Sequence, residues 1–365
     1  MISFLPASAR RAVVIGVLVP LSRPGWVEAG RHLLAGLQLA ADEINHAGGI
    51  LGSRLELVVR DTAADPDRAA AAVDELADMG VAALAGEYHS VVARAAARRA
   101  DARGLPFLCS SAVLDALTDE PTDWVARLAP AQSFGWRVYA EFLLATGHRD
   151  IAVAVEPSAY WESGVRVLRN HLAPRGAAVT EFHVGETALP TLYDALARDG
   201  ATALLLLVGH PEPAVSIVRS VRRDPRLSEM LLGAPAGQPE FSEWLEALGP
   251  DATAVPFLRY LPERLGPLGV RVEDALRERL ECAPSFVALE GYDTIAVLAA
   301  VLRSGGLDAS RAPHLWSSIT VEASRGPIEF SRGPGMSVWQ WAWPRIQVAD
   351  RDPMAPERFR VLHIR

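Results

Sequence analysis

The sequence predicts an α/β protein of two lobes, each with a parallel sheet covered by helices, joined by a three-strand hinge. Three observations predict it. Short apolar runs alternate with longer amphipathic ones, the pattern of strand–helix–strand units. The series stops near residue 109 and restarts near residue 151. From about residue 254 the rhythm breaks into two helices and several short strands, so the chain is expected to return to both lobes. The expected bounds are residues 12–129 plus 257–332 for the first lobe, and 130–256 plus 333–365 for the second. A length of 365 residues, at about 150 residues per domain, agrees with two.

Residues 12–19 read as a buried first strand. The alternative is a short signal peptide led by Arg10-Arg11, but Pro20 ends the run and no small-residue cleavage pattern follows. A helix over 28–46 places Leu33, Leu34, Leu37, Ala40, Ala41 and Ile44 on one face and stops at Gly48-Gly49. A strand is expected over 54–60. Asp65-Pro66 then caps a helix running to about residue 79. Strands over 81–85 and 106–109 flank a helix over 90–103. The extended stretch 124–131 reads as a crossing between lobes. The second series places strands at 151–155, 179–184, 203–208 and 230–232, with helices at 160–172, 189–198 and 213–223. In the tail, 254–261 is extended, helices run over 272–280 and 285–303, and strands over 327–330, 337–348 and 358–364. The alternating Trp339, Trp341 and Trp343 read as one face of a strand.

Composition excludes several chemistries. The chain contains no lysine, so it has neither a Walker A phosphate loop nor a Schiff-base nucleophile. GxSxG, HExxH and EF-hand patterns are missing. The nine histidines show no metal-ligand spacing. Of the two cysteines, Cys109 ends an apolar run and reads as a buried small hydrophobe. Gly48, Gly49 and Gly52 follow a helix rather than opening one, so they make no dinucleotide fingerprint. No catalytic residue, metal or cofactor is expected. The net charge of −8 argues against nucleic acid, and no apolar stretch reaches the roughly 20 residues of a membrane helix.

Candidate ligand residues fall where strands end, since open α/β sheets bind ligands beyond the carboxyl ends of their strands. Glu87, Tyr88, His89 and Ser90 follow the third strand, and Ser110, Ser111 and Ala112 follow the fourth. Tyr160 and Trp161, Gly209 and His210, and Pro235 follow strands of the second series, and Trp26 follows the first strand. Ser90 opens a helix, whose free N–H groups suit a carboxylate or carbonyl oxygen. Plain caps for the serines, and helix packing for Tyr160 and Trp161, are the alternatives. Glu87 facing the ligand would demand a donor from it.

The run IGVLVPLS from Ile15 to Ser22, the run GLQLAADEINHAGGILG from Gly36 to Gly52, and Asp61 with Asp65-Pro66 resemble the leucine-binding class of type I periplasmic binding proteins. Leu117-Thr118, GYDT from Gly291 to Thr294 and RGPIEF from Arg325 to Phe330 extend the resemblance over nearly the whole chain. It implies two Rossmann-like lobes and capture of an amino acid, amide or related small polar ligand in an interlobe cleft. It also implies an ABC permease as partner and a periplasmic or extracellular location if a leader is missing from this chain. A cytoplasmic amide sensor acting on a regulatory protein is the alternative, resembled through Tyr88-His89-Ser90 and the ending 356–363. By resemblance, Ser90, Ser110, Ser111 and Ala112 hold a ligand carboxylate and Tyr160 packs over it. The acid that takes an α-amino group in the family is absent from 232–238.

Overall fold

The computed structural model describes residues 12–185, 188–342 and 346–365. Arg10-Arg11 and Trp343, invoked above, lie outside them. In chain order the structure opens with β1 (Val13–Val19), α1 (Val27–His46), β2 (Leu55–Asp61), α2 (Pro66–Asp78), β3 (Ala83–Gly86), α3 (Ser90–Ala102), β4 (Phe107–Cys109) and β5 (Val125–Arg127). It continues with α4 (Gln132–Ala145), β6 (Asp150–Val155), α5 (Ala159–Leu172), β7 (Ala178–His183), α6 (Leu189–Asp199), β8 (Ala203–Leu207), α7 (Ala214–Arg223), β9 (Leu231–Gly233), α8 (Ser242–Leu248) and β10 (Phe257–Arg259). It ends with α9 (Pro267–Leu280), α10 (Phe286–Ser304), β11 (Thr320–Ala323), β12 (Gly326–Ser331), β13 (Trp339–Trp341), β14 (Gln347–Asp352) and β15 (Ala355–Ile364).

The chain divides into two compact units. Unit 1 takes residues up to Ala112, then Ala116–Ala129 and Leu265–Ala342; unit 2 takes Val113–Asp115, Pro130–Arg264 and the chain after residue 342. In unit 1 the strand order is β11-β12-β13-β5-β4-β3-β1-β2. The pairs from β13 to β2 are parallel, while β11–β12 and β12–β13 are antiparallel. A parallel sheet covered on both faces needs near-continuous apolar strands. Accordingly β3, β4 and β5 are buried at every residue. One face carries a core of alanines from α2 and α3 over Leu84, Phe107 and Val125. The Asp65 side chain caps α2 by accepting from the Asp67 and Arg68 N–H groups, with Pro66 in the first turn.

In unit 2 the parallel sheet has the order β7-β6-β8-β9, and β10-β14-β15 forms a separate antiparallel sheet. β8 is five buried residues (ALLLL), and Val215, Ile217, Val218 and Val221 of α7 pack with its Leu204 and Leu206.

Several expectations are corrected. Residues 124–131 are not merely a crossing: β5 lies inside the unit 1 sheet between β4 and β13. The single strand expected over 337–348 is two, β13 pairing with β5 and β14 with β10. For the same reason unit 1 resumes at Leu265 and runs to Ala342, rather than over 257–332. The sequence reading passes over α4, α8 and β11. In α4 no side chain caps the N-terminus, and Trp136, Tyr139 and Phe142, strand-favouring rings, make up much of its buried face.

Candidate functional site

Each parallel sheet collects candidate residues at its carboxyl end. In unit 1 they come from the loops after β1, β3 and β4. Gly86, at φ +115° with no room for a Cβ against the Leu18 carbonyl, ends β3. The Glu87 side chain then folds back. Its carboxyl accepts from the N–H groups of Tyr88 (2.8 Å) and His89 (2.9 Å) and from the Thr62 hydroxyl (2.7 Å), and the residue is fully buried. Both Glu87 oxygens are thus taken by the protein's own donors and shape the loop, so the condition under which it would demand a ligand donor, a side chain facing the ligand, is not met. Burial pushes its pKa up to about 7, against the pull of those three hydrogen bonds.

His89, not Ser90, is the N-cap of α3, and Ser90 is its first helical residue. The His89 Nε2 accepts from the Trp26 backbone N–H at 3.0 Å, which ties the β1–α1 loop to the β3–α3 loop. Burial pushes His89 down to about 4, so near neutral pH the ring is uncharged and able to accept. Trp26 and Tyr88 meet edge to face at 5.6 Å, and Tyr88 and His89 at 5.3 Å.

The serines after β4 are held from behind by α10. Thr294 donates to the Ser110 hydroxyl (2.8 Å), and the Ser111 hydroxyl donates to Glu290. Arg325 pairs with Glu290 (3.2 Å) and with Asp293 (2.7 Å), which also accepts from the Ser324 hydroxyl and N–H. Glu290, Asp293 and Thr294 are fully buried and Arg325 nearly so. Burial pushes Glu290 up to about 7, partly opposed by Arg325 and Ser111. The Ser111 proton is thus spent inside the protein. Ala112, expected as a ligand contact, is buried, and among the described residues its N–H meets no acceptor. Cys109 is fully buried, its thiol pushed up to about 12, as befits a packing residue.

In unit 2 the loops after β6, β8 and β9 hold the remaining candidates. Ser158 caps α5 by accepting from the Tyr160 N–H. Tyr160 and Trp161 lie 4.6 Å apart, and Tyr160 meets the buried Trp136 edge to face at 5.9 Å. Gly164 makes room for that ring, because a Cβ there would run into it. Gln132 fixes the Tyr160 carbonyl from α4. The Gly209 N–H donates to Glu156 at 2.6 Å, and the His210 ring lies 5.7 Å from Trp244. Pro235 is buried, and the nearby Gln238 amide donates to the Val208 carbonyl. Sequence reasoning missed Glu156 and Glu290. An acid directly after an apolar strand marks Glu156, whereas only the packing of α10 on β4 reveals Glu290. Among the described residues no group of histidines, cysteines or acids could hold a metal, and no helix is long and apolar enough to cross a membrane.

Two parallel sheets that gather polar and aromatic groups at their carboxyl ends define a ligand-binding class of α/β protein. The periplasmic binding protein family model matches residues 12–337. The chain belongs to that family, in its type I, leucine-binding branch, and is a solute-binding protein. It is 26% identical to the Leu/Ile/Val-binding protein homolog 7 of Brucella melitensis, over 89% of this chain and 85% of that one. It is 22% identical to a leucine-, isoleucine-, valine-, threonine- and alanine-binding protein of Pseudomonas aeruginosa, over 91% of each. The fold matches a branched-chain amino acid transporter substrate-binding protein of Streptococcus pneumoniae in complex with isoleucine (TM-score 0.81, 19% identity, 96% of this chain and 99% of that one). It also matches a solute-binding protein of R. palustris in complex with benzoate (TM-score 0.81, 16% identity, 97% and 96%).

Proposed function

We propose that this chain is the solute-binding component of an ABC importer, working outside the cytoplasmic membrane with a permease and capturing a small carboxylate- or amide-bearing ligand without chemical turnover. The observation that carries the reading is the donor set at the carboxyl end of the unit 1 sheet. The Ala112 N–H meets no acceptor among the described residues, Ser90 is the first residue of α3 after β3, Ser110 follows the neighbouring β4, and Trp26 and Tyr88 meet edge to face. Such groups suit a carboxylate or amide oxygen. Tyr160 and Trp161, with Gly209, His210 and Pro235, gather in the same way at the carboxyl end of the unit 2 parallel sheet and offer ring area and polar groups to a small ligand. Relatives named for leucine, isoleucine and valine, and a fold relative holding benzoate, support a ligand of this size. A thermal-shift screen of the purified chain over amino acids, amides and small aromatic acids tests it, because a ligand that binds only the folded state raises the melting temperature. At least one compound is expected to raise it, and to be recovered unchanged by mass spectrometry. No shift across the panel, or a chemically altered ligand, refutes it.

A further inference from the structure

We propose that Glu290 is a positioning residue for ligand capture: by taking up or releasing a proton it sets whether the Ser111 hydroxyl offers its hydrogen or its lone pairs to a bound ligand. This rests on the reading of the site above. Ser111 follows β4 and precedes Ala112, whose N–H meets no acceptor among the described residues. Behind it, the Ser111 hydroxyl meets one oxygen of Glu290 on α10. The other Glu290 oxygen accepts from Arg325 Nη1 at 3.2 Å. Arg325 Nε meanwhile donates to Asp293 at 2.7 Å, and the other Asp293 oxygen accepts from the Ser324 N–H and hydroxyl.

The charges of this cluster do not balance. Two fully buried carboxyls share one arginine, whose closer bond is to Asp293. Asp293 also holds the two Ser324 donors, so Glu290 is the member that a proton neutralises more readily. Burial pushes it up to about 7, against the pull of Arg325 and Ser111. The titratable groups on the elements packed against α10 are engaged elsewhere. On α1, His32 bonds to Ser285, and Glu43 pairs with Arg271 of α9 and accepts from Tyr292. At the strand ends, Glu87 is occupied by Thr62, Tyr88 and His89, Cys109 is buried, and Arg127 of β5 donates to Gln340. Glu322 of β11 is exposed, and Arg311 donates to the Gly305 carbonyl. Among the described residues no second cation pairs with Glu290.

A serine hydroxyl has one hydrogen and two lone pairs. An ionised Glu290 can only accept, so the Ser111 hydrogen points back to it and only lone pairs are left for a ligand. A carboxylate arriving there gains no donor from Ser111 and meets a buried negative charge behind it. A protonated Glu290 donates to Ser111 instead, and the Ser111 hydrogen turns to the ligand oxygen, next to the Ala112 N–H. A carboxylate is therefore captured together with one proton. A neutral amide, which carries both donors and an acceptor, suits either form. The protonated form prevails below pH about 7. Carboxylate affinity is full there and falls by up to about tenfold per pH unit above it.

Calorimetry on the purified full chain tests this with L-leucine, L-isoleucine and benzoate. Titrations at about pH 6, 7 and 8, each in phosphate and in Tris, read both affinity and the protons taken up. A probe that binds is expected to lose roughly tenfold in affinity from pH 6 to pH 8, and to take up close to one proton at pH 8. Glu290→Gln keeps an acceptor for Arg325 and a permanent donor for Ser111. It should bind the same probe with a flat profile and no uptake. Glu87→Gln removes a second buried carboxyl pushed up to about 7 and should keep the uptake. No uptake by the unaltered protein at pH 8 would overturn the assignment. So would uptake that survives in Glu290→Gln or vanishes in Glu87→Gln, or loss of binding in a folded Glu290→Gln. Each of these outcomes leaves the solute-binding reading standing. If Glu290→Gln does not fold, the unaltered protein and Glu87→Gln decide. Failure of all three probes to bind the unaltered protein at pH 6 would overturn the reading on which the assignment depends.

Discussion

The carboxyl ends of the two parallel sheets are built on different physics. In unit 1 the loops that carry ligand candidates are braced from inside by buried, hydrogen-bonded carboxyls. Glu87 gathers the loop after β3, and Glu290, locked to Arg325, holds Ser111. In unit 2 the corresponding loops carry rings packed at a tilt and edge to face, and Glu156, whose carboxylate accepts from the Gly209 N–H. Buried ionic groups are strained to maintain but fix geometry tightly, whereas aromatic pairs pack by area and tolerate small shifts. In the proposed function, the loops of unit 1 contribute rigidly held polar groups and those of unit 2 contribute ring area.

The contrast is most exposed to a break at Arg325. Removing one member of a buried ionic set leaves its partner charged and unpaired. Arg325→Ala should therefore destabilise the protein by about 3–5 kcal/mol in chemical denaturation. Glu156→Gln in unit 2 should change stability by no more than about 0.5 kcal/mol. Equal effects would erase the distinction.

The next effect is on pH. Glu87 has a folded pKa raised to about 7, above the ordinary carboxylate value of roughly 4.3 in the unfolded chain. Between those values the folded state holds the extra proton. The stability Glu87 contributes is thus present below the unfolded pKa and lost as pH rises through about 7. The loss reaches at most about 4 kcal/mol. Glu87→Gln should flatten that part of the unfolding-free-energy profile between acid and neutral pH, leaving the share due to Glu290, which moves in the same direction. A profile unchanged by the substitution would refute the role given to Glu87.

Effects on ligand capture are smaller. Tyr160→Ala removes ring area over the ligand and should weaken binding by about 2 kcal/mol, or roughly thirtyfold, measured by calorimetry. Ser90→Ala removes a single hydrogen bond and should weaken it by about 0.5–1.5 kcal/mol, with the fold intact in both variants. A larger loss at Ser90 than at Tyr160 would invert the division of labour between the sheets.

Most of the parallel-sheet framework was legible in the sequence because it is written locally. Alternating apolar runs, the Asp65-Pro66 cap and the Gly48-Gly49 stop each need only a few neighbouring residues. The loops at the sheet ends could be located by the same logic. What their side chains do could not, because the deciding partners are remote. Ser111 and Glu290 are 179 positions apart, Thr294 and Ser110 184. The orientation of Glu87 stayed open in the sequence because its donors are of both kinds: the N–H groups of the next two residues and the Thr62 hydroxyl, 25 positions back. The split of 337–348 into β13 and β14 was also hidden, since a strand's pairing partner leaves no mark on its own pattern.

β13 has a consequence for the order in which the molecule can be made. It lies between β5 and β12, and the Arg127–Gln340 hydrogen bonds beside it join residues 213 positions apart. The strands of the unit 2 parallel sheet, by contrast, all come from residues 150–233. A chain emerging from the ribosome can therefore complete that sheet while β5 still has an open edge. The edge of β5 waits, as an unpaired template, until residues 339–341 appear more than a hundred positions after β9. Synthesis thus leaves the earlier-made half as the later-finished one.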